Sequence, residues 1–290
     1  MPDQAIPTPV VSYCTTCKGR LAYLKQTLPG NMMAERDNPN VEFVVLDYDC
    51  PDGTADWLKA EFGAEIASGR LRCGRHAPAP TFEHAHAKNM AHRLATGSIL
   101  CNVDADNFIA PGFSAWLVQA FKSYPDRIVI NIPVRLGAEL NQKILWRLRR
   151  IRLPTHGLAG RIAISRANFE RLGGYDETAF SGIGGEDTDL GLRARVAGLH
   201  ALMIPHRLWG DVIRHGDDER VEFSSKGNRA HLSTALRVSR MEQFVSGVQR
   251  VLKSPAPAVN LGGQVGCGDV MLNFDGMATT LRPLPQHPAR

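Results

Sequence analysis

The sequence predicts an α/β fold: a mostly parallel sheet with helices on both faces, followed by a second half that extends it. Three observations carry this. Short apolar runs alternate with segments of helical spacing from Val10 to Ile132. Two of those runs end in aspartate, Val41–Asp47 and Ile99–Val103 with Asp104 and Asp106 just beyond. Past Ser165 the alternation gives way to a glycine-rich acidic loop, Gly173–Asp189. In sheets of this kind ligands bind outside the carboxyl ends of the strands, where those carboxylates fall.

The elements follow in order. Val10–Tyr13 reads as a first strand, Thr15–Arg20 as a polar turn, and Leu21, Leu24 and Leu28 as one face of a helix. Val41–Asp47 is the second strand, and Asp52-Gly53-Thr54 turns into a helix with Trp57 and Leu58 inward. Leu71–Cys73 is a short third strand. His84–Ala95 suits a helix that Gly97 is placed to end. Ile99–Val103 is a strand, Pro111-Gly112-Phe113 opens a helix to Phe121, and Arg127–Ile132 is a further strand. Gly157–Ser165 continues as a strand, Ala167–Leu172 as a helix, and Thr188–Ala197 as a helix after the acidic loop. The tail beyond Ser254 carries five prolines, with a hairpin expected near Val265–Phe274. The expected division is residues 8–135, residues 136–250 and a Pro-rich tail, 251–290.

Composition narrows the classes. The 290 residues suffice for one large α/β domain or two small ones, and 43% hydrophobic with 22% charged residues describes a globular chain. No apolar run is long enough to cross a bilayer, and Met1-Pro2-Asp3-Gln4 lacks a secretory signal, so a cytoplasmic location is expected. The six scattered cysteines are expected to be reduced, and Cys14-Thr-Thr-Cys17 has no second pair to complete a zinc site. Part of the +5 charge lies in Lys143–Arg152, where basic residues alternate with Ile, Leu and Trp. That pattern fits a solvated helix, or peripheral contact with the anionic inner face of a membrane. No nucleic-acid motif is present.

Asp104 and Asp106 bear the chemistry. At i and i+2 on extended chain their carboxylates point to one side. Two such carboxylates repel unless a cation lies between them, and hard divalent ions such as Mg²⁺ or Mn²⁺ take oxygen ligands together with substrate phosphates. His84-Ala-His86 lies on an expected helix, where i and i+2 do not share a face, so it is not read as a metal site.

Val44–Thr54, Ala87-Lys88-Asn89-Met90-Ala91, Ala95-Thr96-Gly97 and Asp104-Ala105-Asp106 resemble, in that order, the motifs of family 2 GT-A glycosyltransferases. Gly173–Glu177 and Gly184–Leu190 resemble the acceptor motif of the galactosyltransferase-like branch. The resemblance covers roughly residues 8 to 220 and rests on motifs that are each weak alone. It implies a GT-A (Rossmann-like) fold with an acceptor-side extension. The implied activity is metal-dependent, inverting transfer of a sugar from a nucleotide-sugar, most simply a UDP-sugar, to a glycan or lipid-linked acceptor. Asp47 would contact the nucleotide near its base, with Thr15, Arg20 and Lys88 as further nucleotide or diphosphate contacts. Asp106 would ligate Mn²⁺ or Mg²⁺, with Asp104 nearer the ribose or on the metal through water. His215 is the matching third ligand, and His206 the alternative. Asp187 is the expected general base and Glu186 an acceptor-binding carboxylate. Both also suit the positive end of the helix that follows. The sequence departs from the family at Tyr48-Asp49-Cys50, and at Ile183, where the galactosyltransferases have Trp. A retaining transferase, a non-catalytic glycan- or nucleotide-sugar-binding module and a nucleotidyltransferase are the competing readings.

Overall fold

The structure, a computed structural model, describes residues 10–130, 160–180, 185–215 and 257–284. The first half runs β1 (Val11–Cys17), α1 (Leu21–Ala34), β2 (Val41–Asp47), α2 (Thr54–Glu61), α3 (Gly63–Ala67), β3 (Leu71–Arg75), α4 (His84–Leu94), β4 (Ile99–Val103), α5 (Phe113–Ser123) and β5 (Arg127–Val129). There follow β6 (Arg161–Ser165), α6 (Arg166–Arg171), α7 (Glu186–Val196), β7 (His200–Leu202), β8 (Gly268–Leu272) and β9 (Ala278–Leu281).

The described strands form one sheet in the order β7-β5-β6-β4-β1-β2-β3-β8-β9. Its centre is parallel, with β1 paired to both β2 and β4 and β2 to β3. The flanks are antiparallel where β6 meets β4 and β5, and where β8 meets β3 and β9. The chain steps from β1 out to β3 and returns to the other side of β1 as β4, which creates a switch point between β1 and β4. Every residue of β1 and β2 is buried, as expected of strands covered on both faces. Tyr13, Phe43 and Val45 pack toward Leu24 and Leu28 of α1, Leu58 of α2 and Leu117 of α5. Cys14, Val44 and Leu46 pack toward Met90 and Leu94 of α4, Phe169 of α6 and Leu190 of α7.

Three boundaries differ from expectation. β1 continues through Thr15, Thr16 and Cys17, where a polar turn was expected. Threonine is β-branched and suits a strand, and the Thr15 hydroxyl donates to the Val103 carbonyl at 2.8 Å, so its polarity is satisfied inside the sheet. The C-terminal hairpin lies further along than expected, with β8 joining the main sheet beside β3. α7 begins at Glu186 rather than Thr188, because Gly185 at φ 102° starts the helix and its first turn holds Glu186, Asp187 and Asp189.

Candidate active site

The loop after β4 is a tight turn rather than extended chain. The Asn107 N–H donates to the Asp104 carbonyl at 2.9 Å, so Asp104 and Asp106 are not held on one side by strand geometry. The turn is fixed from below by α1. Thr27 donates to the Ala105 carbonyl at 2.7 Å, Asn31 donates to the Asn107 carbonyl at 3.0 Å, and the Asn31 side-chain amide oxygen Oδ1 accepts from Ile109 N–H at 2.8 Å. Thr27 and Asn31 lie four residues apart, on the buried face with Leu24 and Leu28. Arg161, 1% exposed, donates to the carbonyls of Gly210 and Asp211 at 3.0 and 2.9 Å. The Phe108 N–H then reaches the Asp211 carbonyl, and the Ile213 N–H the Asp106 carbonyl.

This zipper delivers His215 to Asp106, with Nε2 2.8 Å from Asp106 Oδ2. The His215 ring stacks on Tyr23, centroids 5.6 Å apart, and the Arg20 guanidinium lies 5.4 Å from the Tyr23 centroid. Burial pushes the Asp106 carboxyl up, but the hydrogen bonds from His215 and Asn107 outweigh it, and the net shift is downward. Asp104 goes the other way. Burial raises it and the charge of Asp106 adds to that, while Lys88 and a hydrogen bond from Asn102 oppose. His206 is exposed and packs on Trp209, so it is His215 that the fold places against the aspartate turn.

Asp47 ends β2 at 1% exposure. Its oxygens accept the N–H groups of Cys50 at 2.7 Å and Ala55 at 3.1 Å, so it organises the turn in which this chain has Tyr48-Asp49-Cys50. Arg75 stands 3.5 Å from Asp49 at the end of β3.

Lys88 is placed against the start of α7. Its ammonium lies 2.8 Å from Glu186 Oε1 and 2.7 Å from Asp187 Oδ1. Next to it, Asn89 donates to the Tyr175 carbonyl and to Glu177, and accepts from the Tyr175 N–H at 2.8 Å. Gly174 has φ 65°, and a Cβ there would stand 2.4 Å from the Asn89 amide oxygen, which explains the glycine. Burial pushes Asp187 up; Lys88 opposes while Glu186 and Asp104 add, leaving its carboxyl at about 8. Burial also penalises Glu186, but Lys88 and His84 overcome it and hold that carboxyl at about 2. Asp189 is committed elsewhere, to Arg193 at 2.6 Å, and Arg193 also ties the carbonyls of Leu172 and Gly174.

A divalent ion suits the aspartate turn after β4. Asp106 with His215 supplies hard oxygen and imidazole nitrogen, and the amide oxygen of neighbouring Asn107 is buried without a partner. Among the described residues no three His, Cys, Asp or Glu side chains group as a ready-made site, so the remaining ligands would come from substrate phosphate and water. Gly160 keeps this corner open, since a Cβ there would stand 2.5 Å from Asp104 Oδ2 and 2.8 Å from Asn107 Nδ2. Gly160→Ala should therefore shift the aspartate turn. It is expected to weaken Mn²⁺-dependent nucleotide binding by about tenfold, ~1.4 kcal/mol, in calorimetry. Unchanged affinity would show that the turn tolerates the displacement.

The sequence profile of glycosyl transferase family 2 matches residues 12–169, more than half of the chain. The chain belongs to glycosyl transferase family 2. The profile of the N-terminal domain of galactosyltransferase matches residues 147–215. The family 2 match contains Thr15, Arg20, Asp47, Lys88, Asp104 and Asp106, and the second match contains Glu186, Asp187 and His215. A search of curated proteins returns no match. Among solved structures the fold is similar to that of the mannosyltransferase PcManGT from Pyrobaculum calidifontis in complex with GDP-Man and Mn²⁺ (TM-score 0.59, 20% identity, 85% of this chain and 65% of that one). It is similar to GalNAc-T7 with UDP, GalNAc and Mn²⁺ (TM-score 0.52, 17% identity, 68% of this chain and 42% of that one). It is also similar to TarS 1–349 of S. aureus in complex with UDP-GlcNAc (TM-score 0.51, 13% identity, 86% of this chain and 82% of that one). The chain thus spans 65% and 42% of the first two of these proteins. At such identities the likeness speaks for the fold, which is that of GT-A glycosyltransferases. Lys143–Arg152, Gly182, Ile183 and Gly184 lie outside the described residues.

Proposed function

We propose that this family 2 protein is a metal-dependent, inverting glycosyltransferase that moves a sugar from a nucleotide-sugar to a hydroxyl of a glycan or lipid-linked acceptor. One observation carries the reading. Lys88, in the family 2 segment, lies 2.8 Å from Glu186 and 2.7 Å from Asp187 of the second segment, so the two motif halves meet in one place. The solved relatives in complex with GDP-Man, UDP and UDP-GlcNAc support a nucleotide-sugar donor, and two of them hold Mn²⁺. Their nucleotides differ, so the choice of a UDP-sugar rests on the family resemblance at Asp47, which at 1% exposure and with both oxygens on the turn would act on uracil through the turn it organises.

Asp47 and Thr15, with Arg20 nearby, would hold the nucleotide beyond β1 and β2. Asp106 and His215, with Asp104 close by, would hold the metal, and a bound divalent ion would neutralise charge on the diphosphate leaving group. Glu186 Oε2, buried without a partner, is free to accept a hydrogen bond from an acceptor hydroxyl. Asp187 takes the proton as that oxygen bonds to the anomeric carbon, the bond to the diphosphate oxygen breaks, and the nucleoside diphosphate leaves. Inversion follows from this single displacement. NMR of the product anomer tests it, because retention of configuration would overturn the role given to Asp187.

No described helix is long and apolar enough to cross a membrane. For a lipid-linked or polysaccharide acceptor we place the enzyme in the cytoplasm, at the inner membrane face, through Lys143–Arg152. Exchanging Arg147, Arg149 and Arg150 for Gln should then lower its binding to anionic vesicles. Wild-type protein that ignores such vesicles at low salt would remove the membrane from the proposal.

A further inference from the structure

Lys88 is an unusual residue to find 2% exposed, since lysine is almost never fully buried unless paired. It projects from α4, which packs on the parallel centre of the sheet, yet its ammonium reaches α7. We infer that Lys88 is a positioning residue for transfer, holding Glu186 and Asp187 together on one buried ammonium so that Asp187 is able to ionise and take a proton. The inference rests on the reading of Asp187 as the base.

The geometry allows little else. The three side chains are 3%, 5% and 17% exposed, and Nζ lies within 2.8 Å of one oxygen of each carboxylate. Sequence neighbours at a helix start would otherwise be two like charges removed from water, a situation in which one carboxyl keeps its proton. The other charged and titratable groups facing the pair are His84 from α4, Asp104 from the end of β4, and Tyr175 from the loop before α7. Asp104 adds negative charge, His84 relieves Glu186, and the Tyr175 ring lies 5.3 Å from the ammonium. Lys88 is the cation in direct contact with Asp187, at 2.7 Å. Asn89 beside it ties Tyr175 and Glu177, so consecutive residues of α4 fasten both ends of the acceptor loop. Burial already lifts Asp187 far above the usual carboxylate range with Lys88 in place. Without the ammonium the lift would be greater.

The test is a carboxyl titration by NMR on protein labelled with ¹³C-aspartate at Cγ, with the Asp187 signal assigned by its loss in Asp187→Asn. Wild type, Lys88→Arg, Lys88→Met and Lys88→Gln are titrated from pH 5 to 10. The midpoint of Asp187 should rise in Lys88→Met and Lys88→Gln by at least about one unit, a tenfold tighter proton, and stay near wild type in Lys88→Arg. Gln keeps a hydrogen-bond donor without the charge, and serves if Met unfolds the protein. A midpoint that stays in place in Lys88→Met and Lys88→Gln would show that the ammonium does not govern the ionisation of Asp187, and that result overturns the inference. The titration uses neither donor nor acceptor. If the midpoint moves while Asp187→Asn transfers sugar normally, the Lys88 pairing stands and the base lies elsewhere.

Discussion

Asp187→Asn is expected to slow sugar transfer by about 10²–10⁴, the usual cost of losing a general base, while nucleotide affinity stays as in wild type. Asparagine keeps the size and can still meet Glu186 and Lys88, but it cannot accept the acceptor proton. Asp189 cannot replace it, being buried against Arg193. In wild type, kcat/KM should rise with pH toward about 8 and then level, because burial and the neighbouring Glu186 hold the Asp187 proton until then. Release of nucleoside diphosphate at a series of pH values, with calorimetry in parallel, reads both quantities. Near-wild-type transfer would move the base to another group. Lost nucleotide binding would instead put the α7 start on the donor side.

Asp106→Ala is expected to abolish the Mn²⁺ dependence of nucleotide binding without unfolding the protein. Outer partners of metal ligands commonly carry 10–100-fold in affinity, so removal of a ligand itself should cost at least about 100-fold. His215→Ala should act in the same direction, since His215 Nε2 stands 2.8 Å from Asp106 Oδ2. The Asp106 carboxyl is lowered in the folded state, so its contribution to stability is present above the ordinary carboxylate range and is lost as pH falls through the lowered value. Thermal unfolding of wild type and Asp106→Ala should therefore differ at pH 7 and converge only below the ordinary carboxylate range, as pH falls through that lowered value. A calorimetric Mn²⁺ response equal to wild type in Asp106→Ala would take the metal away from this turn.

The sheet was legible in the sequence because strands buried on both faces leave mostly apolar runs, as Val41–Asp47 and Ile99–Val103 do apart from Glu42, Asp47 and Asn102. The motif residues were legible through their resemblance to family 2. Their arrangement was less so. The aspartates were read on extended chain, yet the Asn107 N–H closes a turn there, and no periodicity marks a hydrogen bond between residues 104 and 107. Lys88 was read toward the diphosphate and is found between Glu186 and Asp187, a contact across 98 residues of chain that local pattern does not encode. Thr27, Asn31, Asn89, Glu177, Arg161 and Arg193 were missed as supports of the site. For Thr27 and Asn31 a signal existed, since two polar residues interrupt the apolar stripe of α1 four residues apart. Arg161 gave none, because the strand read over Gly157–Ser165 does not reveal the Gly210 and Asp211 carbonyls that its guanidinium meets across the fold.

The most direct measurement is calorimetric titration of the full chain with UDP, GDP, ADP and CDP, each with and without Mn²⁺. The account predicts that UDP binds, that Mn²⁺ strengthens it, and that Asp47→Ala weakens UDP more than it weakens the other nucleotides. Failure of every nucleoside diphosphate to bind in the presence of Mn²⁺ would contradict it.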